Sequence, residues 1–385
     1  MAYLDYNATT PLAAEALEAM MSVLKGRHGN PSSIHSEGRS ARAVVDAARE
    51  DLADLLSVKP LEIVFTSGGT EACNLGVLGI ARAAARTGSG RHVITSPTEH
   101  HAVLHAIRHL CEREQFEVTM LPVDSEGRVT PEAVASALRE DTVLVSLMHA
   151  NNETGVVQPV GEIAQLCRGA GVCFVSDAVQ SFGKLPVLPE VLGADAIAFA
   201  AHKFYGPKGA GFLWLRAGVE IDPLVLGGSH ENSRRPGTEN VAAIAGMAAA
   251  ARVAESIREF ETARLLPLRE ELWSRIRAIA PGAIRNGGPA DTLSNTLNVS
   301  FPQTDGEALL IGLDIEGISV SSGSACMVGS MQASHVILAM GRDSATASST
   351  VRFSLGRGSA QADLQSACSA LETVLARSAT LRSAA

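Results

Sequence analysis

The sequence predicts an α/β fold: a large domain built on a mostly parallel, seven-stranded sheet covered by helices, and a smaller α+β domain at the C-terminal end. Three observations predict it. Short β-rich runs alternate with helical stretches between about residues 62 and 215, a Gly-rich stretch follows at 227–237, and a shorter mix of strands and helices comes after it. Of the 385 residues, 46% are hydrophobic and 19% charged, so the chain can bury a sizeable core.

Seven β-rich runs predict the strands of the large sheet. In chain order they are EIVFTS, RHVITS, EVTMLPV, TVLVSLMH, VCFVSD, AIAFA and GAGFLWL. Between them, residues 70–86 and 101–114 carry helical periodicity, and Pro131 and Pro159 stand where further helices can begin. The alternation predicts parallel strands joined by covering helices.

The C-terminal third has a different pattern. Residues 239–280 read as one long Ala- and Arg-rich helix, and NGGP at 286–289 is a turn signal. We therefore place the large domain at 12–257 and the small domain at 258–385, together with residues 1–11. The predicted elements of the small domain are strand TLNVSF, helix 305–315, a Ser/Gly loop at 321–330, helix 334–340, strand TVRFSL and helix 361–377.

Charge and targeting signals narrow the classes of function. Asp and Glu number 41 against 32 Lys and Arg, which gives a net charge of −9, and no run of five like charges occurs. Nucleic acids and anionic membranes are therefore not expected partners. No apolar run reaches the roughly 18 residues of a membrane span, and MAYLDYNATTPL lacks the regions of a signal peptide, so we expect a cytoplasmic protein.

Metal-binding patterns are weak. The 6 cysteines are scattered, with no CxxC motif, which indicates neither a disulfide framework nor a zinc site. His101, His105 and His109 recur at helical spacing, but no carboxylate or cysteine completes a ligand set. We expect reduced thiols and no resident metal.

A Gly-rich turn stands between the first strand of the sheet and the helix after it. In Ser67-Gly68-Gly69-Thr70, free backbone N–H groups at a helix N-terminus, with glycines that allow close approach, suit a phosphate group. The alternative is an ordinary turn with Thr70 as the N-cap. A dinucleotide fingerprint or a P-loop is not indicated, because GxGxxG and GxxxxGK[ST] are both missing.

A lysine and an aspartate follow two buried strands. Lys203 comes directly after AIAFA, where desolvation can make an amine nucleophilic enough to form a Schiff base. Asp177 ends VCFVSD, where a carboxylate can keep a pyridinium nitrogen protonated. A phosphate turn, a strand-end Asp and then a strand-end Lys is the order that a pyridoxal phosphate (PLP) enzyme needs.

At this point the chain resembles a known family, the cysteine desulfurases of the class V PLP enzymes, in their nitrogen-fixation and housekeeping iron–sulfur type. The resemblance runs from end to end. Its motifs are YLDYNATTPL at 3–12, GNPSSIHSEGR at 29–39, FTSGGTEACNL at 65–75, TEHHAVL at 98–104, MHANNETGVVQP at 148–159, SDAVQSFGK at 176–184, AHKFYGPKG at 201–209, RRPGTENVAAIAG at 234–246, SSGSACMVGSMQASHV at 321–336 and RFSLGR at 352–357.

The resemblance implies a PLP-dependent transferase of fold type I and assigns residues to the cofactor ring. Lys203 would be the Schiff-base lysine, and Asp177 would pair with the pyridine nitrogen. Gln180 would form a hydrogen bond with the ring hydroxyl. His100 would stack on the ring and exchange protons, and Asn152 would contact both cofactor and substrate.

It also implies residues for the phosphate and the substrate. Gly69, Thr70 and His202 would bind the phosphate, joined by Thr238 from the other subunit of a homodimer. Arg352 would hold the carboxylate of L-cysteine, since its planar guanidinium suits bidentate pairing. Near these residues, Arg234-Arg235 reads as loop surface beside the active site or the dimer interface, with substrate or partner binding as the alternative.

Cys326 is the predicted sulfur carrier. Its small, polar neighbours in SSGSACMVGS suit a nucleophile that enters the site, takes a sulfur atom and moves outward to deliver it. The implied reaction converts L-cysteine to L-alanine, with the sulfur held as a persulfide on Cys326. From there it passes to an acceptor or scaffold protein for iron–sulfur cluster assembly, where Cys326 could also be a transient cluster ligand.

One departure from the family pattern leaves alternatives open. The usual serine two residues before the lysine-motif histidine is Ala200 here, so a hydroxyl to the cofactor phosphate is missing. Its loss weakens cofactor binding by roughly 0.5–1.5 kcal/mol. The alternatives are a selenocysteine lyase-like class V lyase, and a PLP-bound platform that needs a partner for activity.

Overall fold

The computed structural model describes residues 1–322 and 332–383. Its strands and helices, numbered in chain order, are β1 (Ala2–Tyr3), α1 (Ala14–Gly26), α2 (Ser36–Leu56), β2 (Ile63–Thr66), α3 (Gly69–Asn74), α4 (Ile80–Arg86), β3 (His92–Thr95), α5 (His101–Glu114), β4 (Glu117–Met120), α6 (Pro131–Ala137), β5 (Thr142–Ser146), α7 (Val160–Ala170), β6 (Cys173–Asp177), α8 (Pro189–Leu192), β7 (Ala196–Ala200), β8 (Gly211–Leu215), α9 (Val241–Ser256), α10 (Arg258–Ile279), β9 (Ile284–Asn286), β10 (Thr296–Ser300), α11 (Gly306–Ile315), β11 (Ile318–Ser319), α12 (His335–Ala339), α13 (Ser344–Ser348), β12 (Thr350–Ser354) and α14 (Gln361–Ser383).

A seven-stranded sheet forms the centre of the molecule. Its strand order is β2-β8-β7-β6-β5-β3-β4. The strands from β7 to β4 pair in parallel, whereas β8 runs antiparallel to both β7 and β2. Each of the seven predicted β-rich runs supplies one strand, so the predicted α/β fold with a mostly parallel sheet is confirmed.

Helices cover both faces of this sheet. On one face, apolar side chains of α1, α2, α7 and α9 pack against the strands. On the other face, the core includes side chains of α5 and of the helix that begins at α3, continues through a π-helical segment at Leu75–Gly79, and ends with α4. Burial on both faces explains why the strands other than β4 are mostly apolar runs, whereas β4, at the edge of the sheet, is mostly exposed.

Because β2, β7, β6, β5, β3 and β4 run in the same direction, their carboxyl ends lie at one edge of the sheet. There the chain leaves β2 toward Gly69, β3 toward His100, β5 toward Asn152 and β7 toward Lys203, while Asp177 is the last residue of β6. Open α/β sheets bind ligands in the crevice outside this edge.

A second, smaller sheet has the order β12-β10-β9 and is antiparallel throughout. Its core includes apolar side chains of α10, α11 and α14, and β1 joins this part of the molecule by pairing in parallel with β11. The N-terminal residues thus lie beside the C-terminal elements. The division of the chain into domains at 257/258 falls between α9 and α10 and stays a prediction.

Three details differ from the sequence prediction. The single helix predicted for 239–280 is wrong: it is two helices, α9 and α10, because Ile257 has φ −108° and ψ 3°, outside the helical range. The strand β9 before the NGGP turn was not predicted. The last helix, α14, runs to Ser383 rather than 377. Among the described residues, no helix is long and apolar enough to cross a membrane.

Candidate active site

A cavity of about 400 Å³ opens at the carboxyl ends of the central strands. It gathers most of the residues that the sequence singled out from distant parts of the chain. The predicted residues that line it are Gly69, Thr70, His100, Asn152, Asp177, Gln180, His202, Lys203 and Arg352, together with Ala200. Sequence reasoning missed seven further lining residues: Asn7, Ala8, Cys73, Ala102, Met148, Ala150 and Val179.

Lys203 sits in a short turn directly after β7. Its Nζ donates hydrogen bonds to the backbone carbonyls of Asn7 and Ala8, each at 2.7 Å. These carbonyls belong to the N-terminal motif YLDYNATT, which the sequence identified without a role, since a backbone acceptor leaves no side-chain signature. The amine is held by neutral oxygens at the wall of the cavity, where an electrophile from the cavity can reach it.

Asp177 lies at the base of the cavity and is almost fully buried. Its Oδ1 accepts a hydrogen bond of 2.8 Å from the Val179 amide. Burial, and then the neighbouring Asp177 carboxylate, raise the pKa of the Cys73 thiol well above its usual range, so Cys73 stays a neutral thiol that donates to Asp177. Burial likewise raises the pKa of Glu99 well above its usual range, and Asp177 adds to the shift.

The phosphate candidates lie at the start of the helix that follows β2. Gly68, not Thr70, is the N-cap, with φ 151°, so the alternative with Thr70 as N-cap is wrong. A Cβ on Gly69 would come within 3.0 Å of Ala200 Cβ and Val179 Cγ2. Only a glycine lets the backbone N–H groups approach this wall of the cavity so closely, as an anion site requires.

Two imidazoles line the cavity in neutral form. Burial lowers the pKa of His100 below its usual range, opposed by Asp177 and reinforced by Lys203. His100 is the N-cap of α5, and its Nδ1 accepts from the Ala102 amide at 3.1 Å, which leaves the proton of the neutral ring on Nε2. Burial, with Lys203 nearby, lowers the pKa of His202 to about 4.

Arg352 is buried in β12 and reaches the cavity from the smaller sheet. Its Nη1 donates to the Asn152 carbonyl at 2.9 Å and its Nη2 to Asp5 Oδ1 at 2.8 Å. Its Nε is buried and has no hydrogen-bond partner among the described residues. Because a buried unpaired donor is costly, this atom suits an anionic ligand such as a carboxylate.

Other predicted residues lie apart from the cavity or outside the description. Cys326 lies outside the described residues. Thr238 is exposed before α9 and does not line the cavity of its own chain. Arg235 pairs with Glu71 at 2.7 Å, so it is engaged within the chain. His101, His105 and His109 share one groove on α5, and no group of three potential metal ligands occurs within the described ranges.

The residues that line the cavity fit pyridoxal phosphate. A lysine amine, a carboxylate and an imidazole line one cavity, and a helix N-terminus borders it where Gly69 has no Cβ. The helix N-terminus at Gly69, called here the Gly69 cradle, would bind the phosphate, and Asp177 would pair with the pyridine nitrogen. Ala200 lies against the same cradle, where it presents a methyl group instead of a hydroxyl.

Comparisons with known proteins agree on one family. The family model "Aminotransferase class-V" matches residues 2–366. "Cysteine desulfurase IscS" of Dictyoglomus turgidum is 44% identical over 379 residues, covering 98% of this chain and 95% of that protein. Among solved structures, a "NIFS-like protein" matches with a TM-score of 0.91 at 36% identity, covering 98% of this chain and 100% of the other. "SspA in complex with cysteine" matches with a TM-score of 0.81 at 35% identity, covering 92% and 99%.

Proposed function

The chain belongs to the aminotransferase class-V family and is a pyridoxal phosphate-dependent cysteine desulfurase, and from this premise we propose how its own residues share the reaction. Lys203, Asp177 and His100 serve the cofactor, Arg352 and Asn152 hold L-cysteine, and Cys326 takes the sulfur. The observation that carries the assignment is the cavity in which Lys203, Asp177 and Arg352 meet.

The cofactor-binding residues divide by the charge that each supplies. When bound, pyridoxal phosphate supplies an aldehyde that joins an amine and a ring that draws electrons from the substrate Cα. Asp177 would keep the ring nitrogen protonated, and burial raises the pKa of its neighbours Cys73 and Glu99 well above their usual ranges. Gly69, Thr70 and His202 would hold the phosphate, and Gln180 would donate to the ring hydroxyl.

Lys203 and His100 handle protons. The Lys203 amine lines the cavity and would take the proton from the substrate Cα. His100 is neutral at physiological pH, and its Nε2–H faces a cavity that also contains Lys203. It can therefore donate a proton and take one back.

Arg352 orients the substrate. Its guanidinium is fixed by Asp5 and by the Asn152 carbonyl, and its unpaired Nε adds a donor for the carboxylate of L-cysteine. Substrate bound in this way is held with its Cα near Lys203, since both side chains line one cavity. Asn152 belongs to the same wall.

Cys326 is proposed as the sulfur acceptor within the chain. A bond forms between its thiolate Sγ and the substrate sulfur as the substrate Cβ–S bond breaks. The electron pair of the broken bond stays with the carbon fragment, which takes up protons and becomes alanine, while the sulfur remains on Cys326 as a persulfide. The carbon is reduced as the sulfur is oxidised, so no external oxidant is needed. The sulfur then passes to an acceptor or scaffold protein for iron–sulfur cluster assembly.

The homodimer and the cytoplasmic location belong to the same proposal. Thr238 is exposed in its own chain, which supports a contact with the phosphate site of a second copy. The excess of acidic residues, at net −9, supports small molecules and protein partners rather than nucleic acid.

The test is alanine and sulfide release from L-cysteine with a reductant, measured on wild type, Lys203→Ala and Cys326→Ala. Cys111→Ala, at a partly exposed cysteine of α5, is the matched control. Wild type and Cys111→Ala should turn over, and the other two variants should not. Wild-type alanine release by Cys326→Ala would favour a lyase that eliminates sulfur directly, and a silent wild type that is yellow with PLP would favour the partner-dependent platform.

A further inference from the structure

Lys184 lies behind the cofactor cavity and has no role in the mechanism described above. It stands four residues after Gln180, in the turn that follows β6. Its Nζ donates to the Gln180 backbone carbonyl at 2.8 Å and to the Gln180 side-chain Oε1 at 3.3 Å. One ammonium group therefore binds both oxygens of the residue proposed to contact the cofactor ring.

The turn itself brings Lys184 back over Gln180. Gly183 has φ 71°, and a Cβ there would come within 2.9 Å of Ala254 Cβ on α9. The Gly183 amide donates to Glu255 Oε1 at 3.1 Å, and the Lys184 carbonyl accepts from Thr262 Oγ1 at 3.1 Å. Contacts with α9 and α10 thus fix the direction from which the ammonium group approaches.

The opposite side of the Gln180 amide is also fixed. Its Nε2 donates to the Asn7 carbonyl at 2.9 Å, the same oxygen that accepts from Lys203 Nζ. With a cation at the amide oxygen and a carbonyl at the amide nitrogen, only one of the two amide orientations satisfies both contacts. The second N–H of Nε2 is then left for a group in the cavity, which Gln180 lines.

We propose that Lys184 is a positioning residue: its ammonium group holds the Gln180 amide in the orientation that presents N–H to the ring oxygen of the cofactor. This rests on the proposed function, in which Gln180 contacts that ring. Without the cation, the amide can turn so that its carbonyl faces the ring oxygen, and the two acceptors repel.

The charges around Lys184 are mostly positive. Burial lowers its pKa to about 7, and Lys203 and then Arg352 add to the shift. A smaller cavity of about 40 Å³ separates it from Glu261 and Arg357, and Tyr6 and Tyr205 line the same space. An amine that has lost its proton still donates N–H, so the orientation of Gln180 does not depend on the charge alone.

The test uses PLP-loaded protein without cysteine and follows the visible absorbance of the bound cofactor as a function of pH. A hydrogen-bond donor to the ring oxygen stabilises the anionic form of that oxygen. Losing the donor therefore raises the pKa that is read from the absorbance of the bound cofactor, called here the spectral pKa. Lys184→Met should raise it by roughly one unit. Lys184→Arg should restore the wild-type value, and Lys25→Met, at an exposed lysine of α1, should leave it unchanged.

A double-mutant cycle separates positioning from a direct effect of the charge. On a Gln180→Leu background, which already lacks the donor, Lys184→Met should add no further shift. An equal shift on both backgrounds, or no shift on the wild-type background, overturns the proposal. Lys184→Gln serves in the same cycle if Lys184→Met does not fold, because the criterion is dependence on Gln180.

This titration needs bound PLP but no turnover. If the wild type releases no alanine but the shift caused by Lys184→Met requires Gln180, the proposed reaction is contradicted and the role of Lys184 is supported. If turnover is normal and the shift does not require Gln180, the role of Lys184 is contradicted and the reaction is supported.

Discussion

A buried ion pair holds the loop that leads to Thr238, and replacing one partner should be far more harmful than replacing both. Arg49 of α2 donates Nη2 to Glu231 Oε1 at 2.5 Å and Nη1 to Glu231 Oε2 at 2.9 Å. The Phe65 amide donates to the same carboxylate at 3.0 Å, and Arg49 also reaches the Ile63 carbonyl at 2.6 Å. The pair therefore connects α2, β2 and the loop before α9.

Arg49→Met removes two of the three hydrogen bonds that the Glu231 carboxylate accepts and leaves that charge in a site with about 1% side-chain exposure. Breaking a buried pair from one side costs about 3–5 kcal/mol in the free energy of unfolding. Replacing both partners, in Arg49→Met with Glu231→Gln, removes the unpaired charge. The double variant should recover at least half of that loss.

The assay is urea unfolding at one fixed protein concentration, since the proposed homodimer would make stability depend on concentration. The apparent PLP affinity is measured on the same samples, because a displaced loop would move Thr238. A cost below about 1 kcal/mol for Arg49→Met, the usual size for a surface substitution, would refute the argument. So would a double variant whose loss equals the sum of the single losses.

Three further predictions test individual positions. Ala200→Ser should tighten PLP binding to the apoprotein roughly 2- to 13-fold by fluorescence titration, because it supplies a hydroxyl beside Gly69; an unchanged Kd would show that the hydroxyl does not reach the phosphate. Ser233→Val should lower the free energy of unfolding by about 1 kcal/mol, because Ser233 is exposed with φ 64° and a β-branched residue is strained there. Ser366→Val on α14 is its control, and equal losses in the two would contradict the strain argument. Burial lowers the pKa of His149 to about 4, so the unfolded chain binds a proton between about pH 6.5 and pH 4 that the folded chain does not, and stability falls as the pH falls through this window. Between about pH 7 and pH 5, this one group should lower the free energy of unfolding of the wild type by about 2 kcal/mol, and His149→Gln should remove that part of the decrease. Urea unfolding at the two pH values measures it. The same pH dependence in wild type and variant would contradict the buried neutral imidazole.

Most of the large sheet could be predicted from the sequence because its strands are buried on both faces. The run AIAFA contains no polar residue, and TVLVS has polar residues only at its two ends. The Gly, Pro and helical stretches between the runs mark where each strand ends. The smaller sheet was harder. The strand β9 has only three residues, with Arg285 at its centre, and its partner Asn298 contributes a polar side chain that bonds Asn286 at 2.8 Å inside the core.

The break between α9 and α10 shows how tertiary contacts override a local pattern. Neither Gly nor Pro stands at Ile257, and the proline that the sequence does contain, Pro267, lies inside α10. The break places Glu255 against the Gly183 amide and Thr262 against the Lys184 carbonyl, two contacts more than seventy residues away along the chain. No period in the sequence encodes such a contact.

The residues of the candidate site could be predicted where their side chains line the cavity, but not where only their backbone atoms make the contact. Lys203, Asp177 and Arg352 carry charges at strand ends or in a strand, and sequence motifs mark them. The carbonyls of Asn7 and Ala8, which hold Lys203, are identical in chemistry to every other carbonyl. Cys73 resembles an ordinary core cysteine in the sequence, and only the structure places it beside Asp177.

The way in which the two ends of the chain meet has a consequence for biosynthesis. Asp5 pairs with Arg352, and the Asn7 amide donates to Ser354 Oγ at 2.9 Å, so residues from the first ten and the last forty build one wall of the cavity. Asp5 and the Asn7 amide leave the ribosome long before Arg352 and Ser354 do, whereas the Asn7 and Ala8 carbonyls find their partners Gln180 and Lys203 in the middle of the chain. The wall that contains Arg352 therefore waits for the last part of the chain to be synthesised, and a chain truncated before Arg352 would lack the residue proposed to hold the substrate.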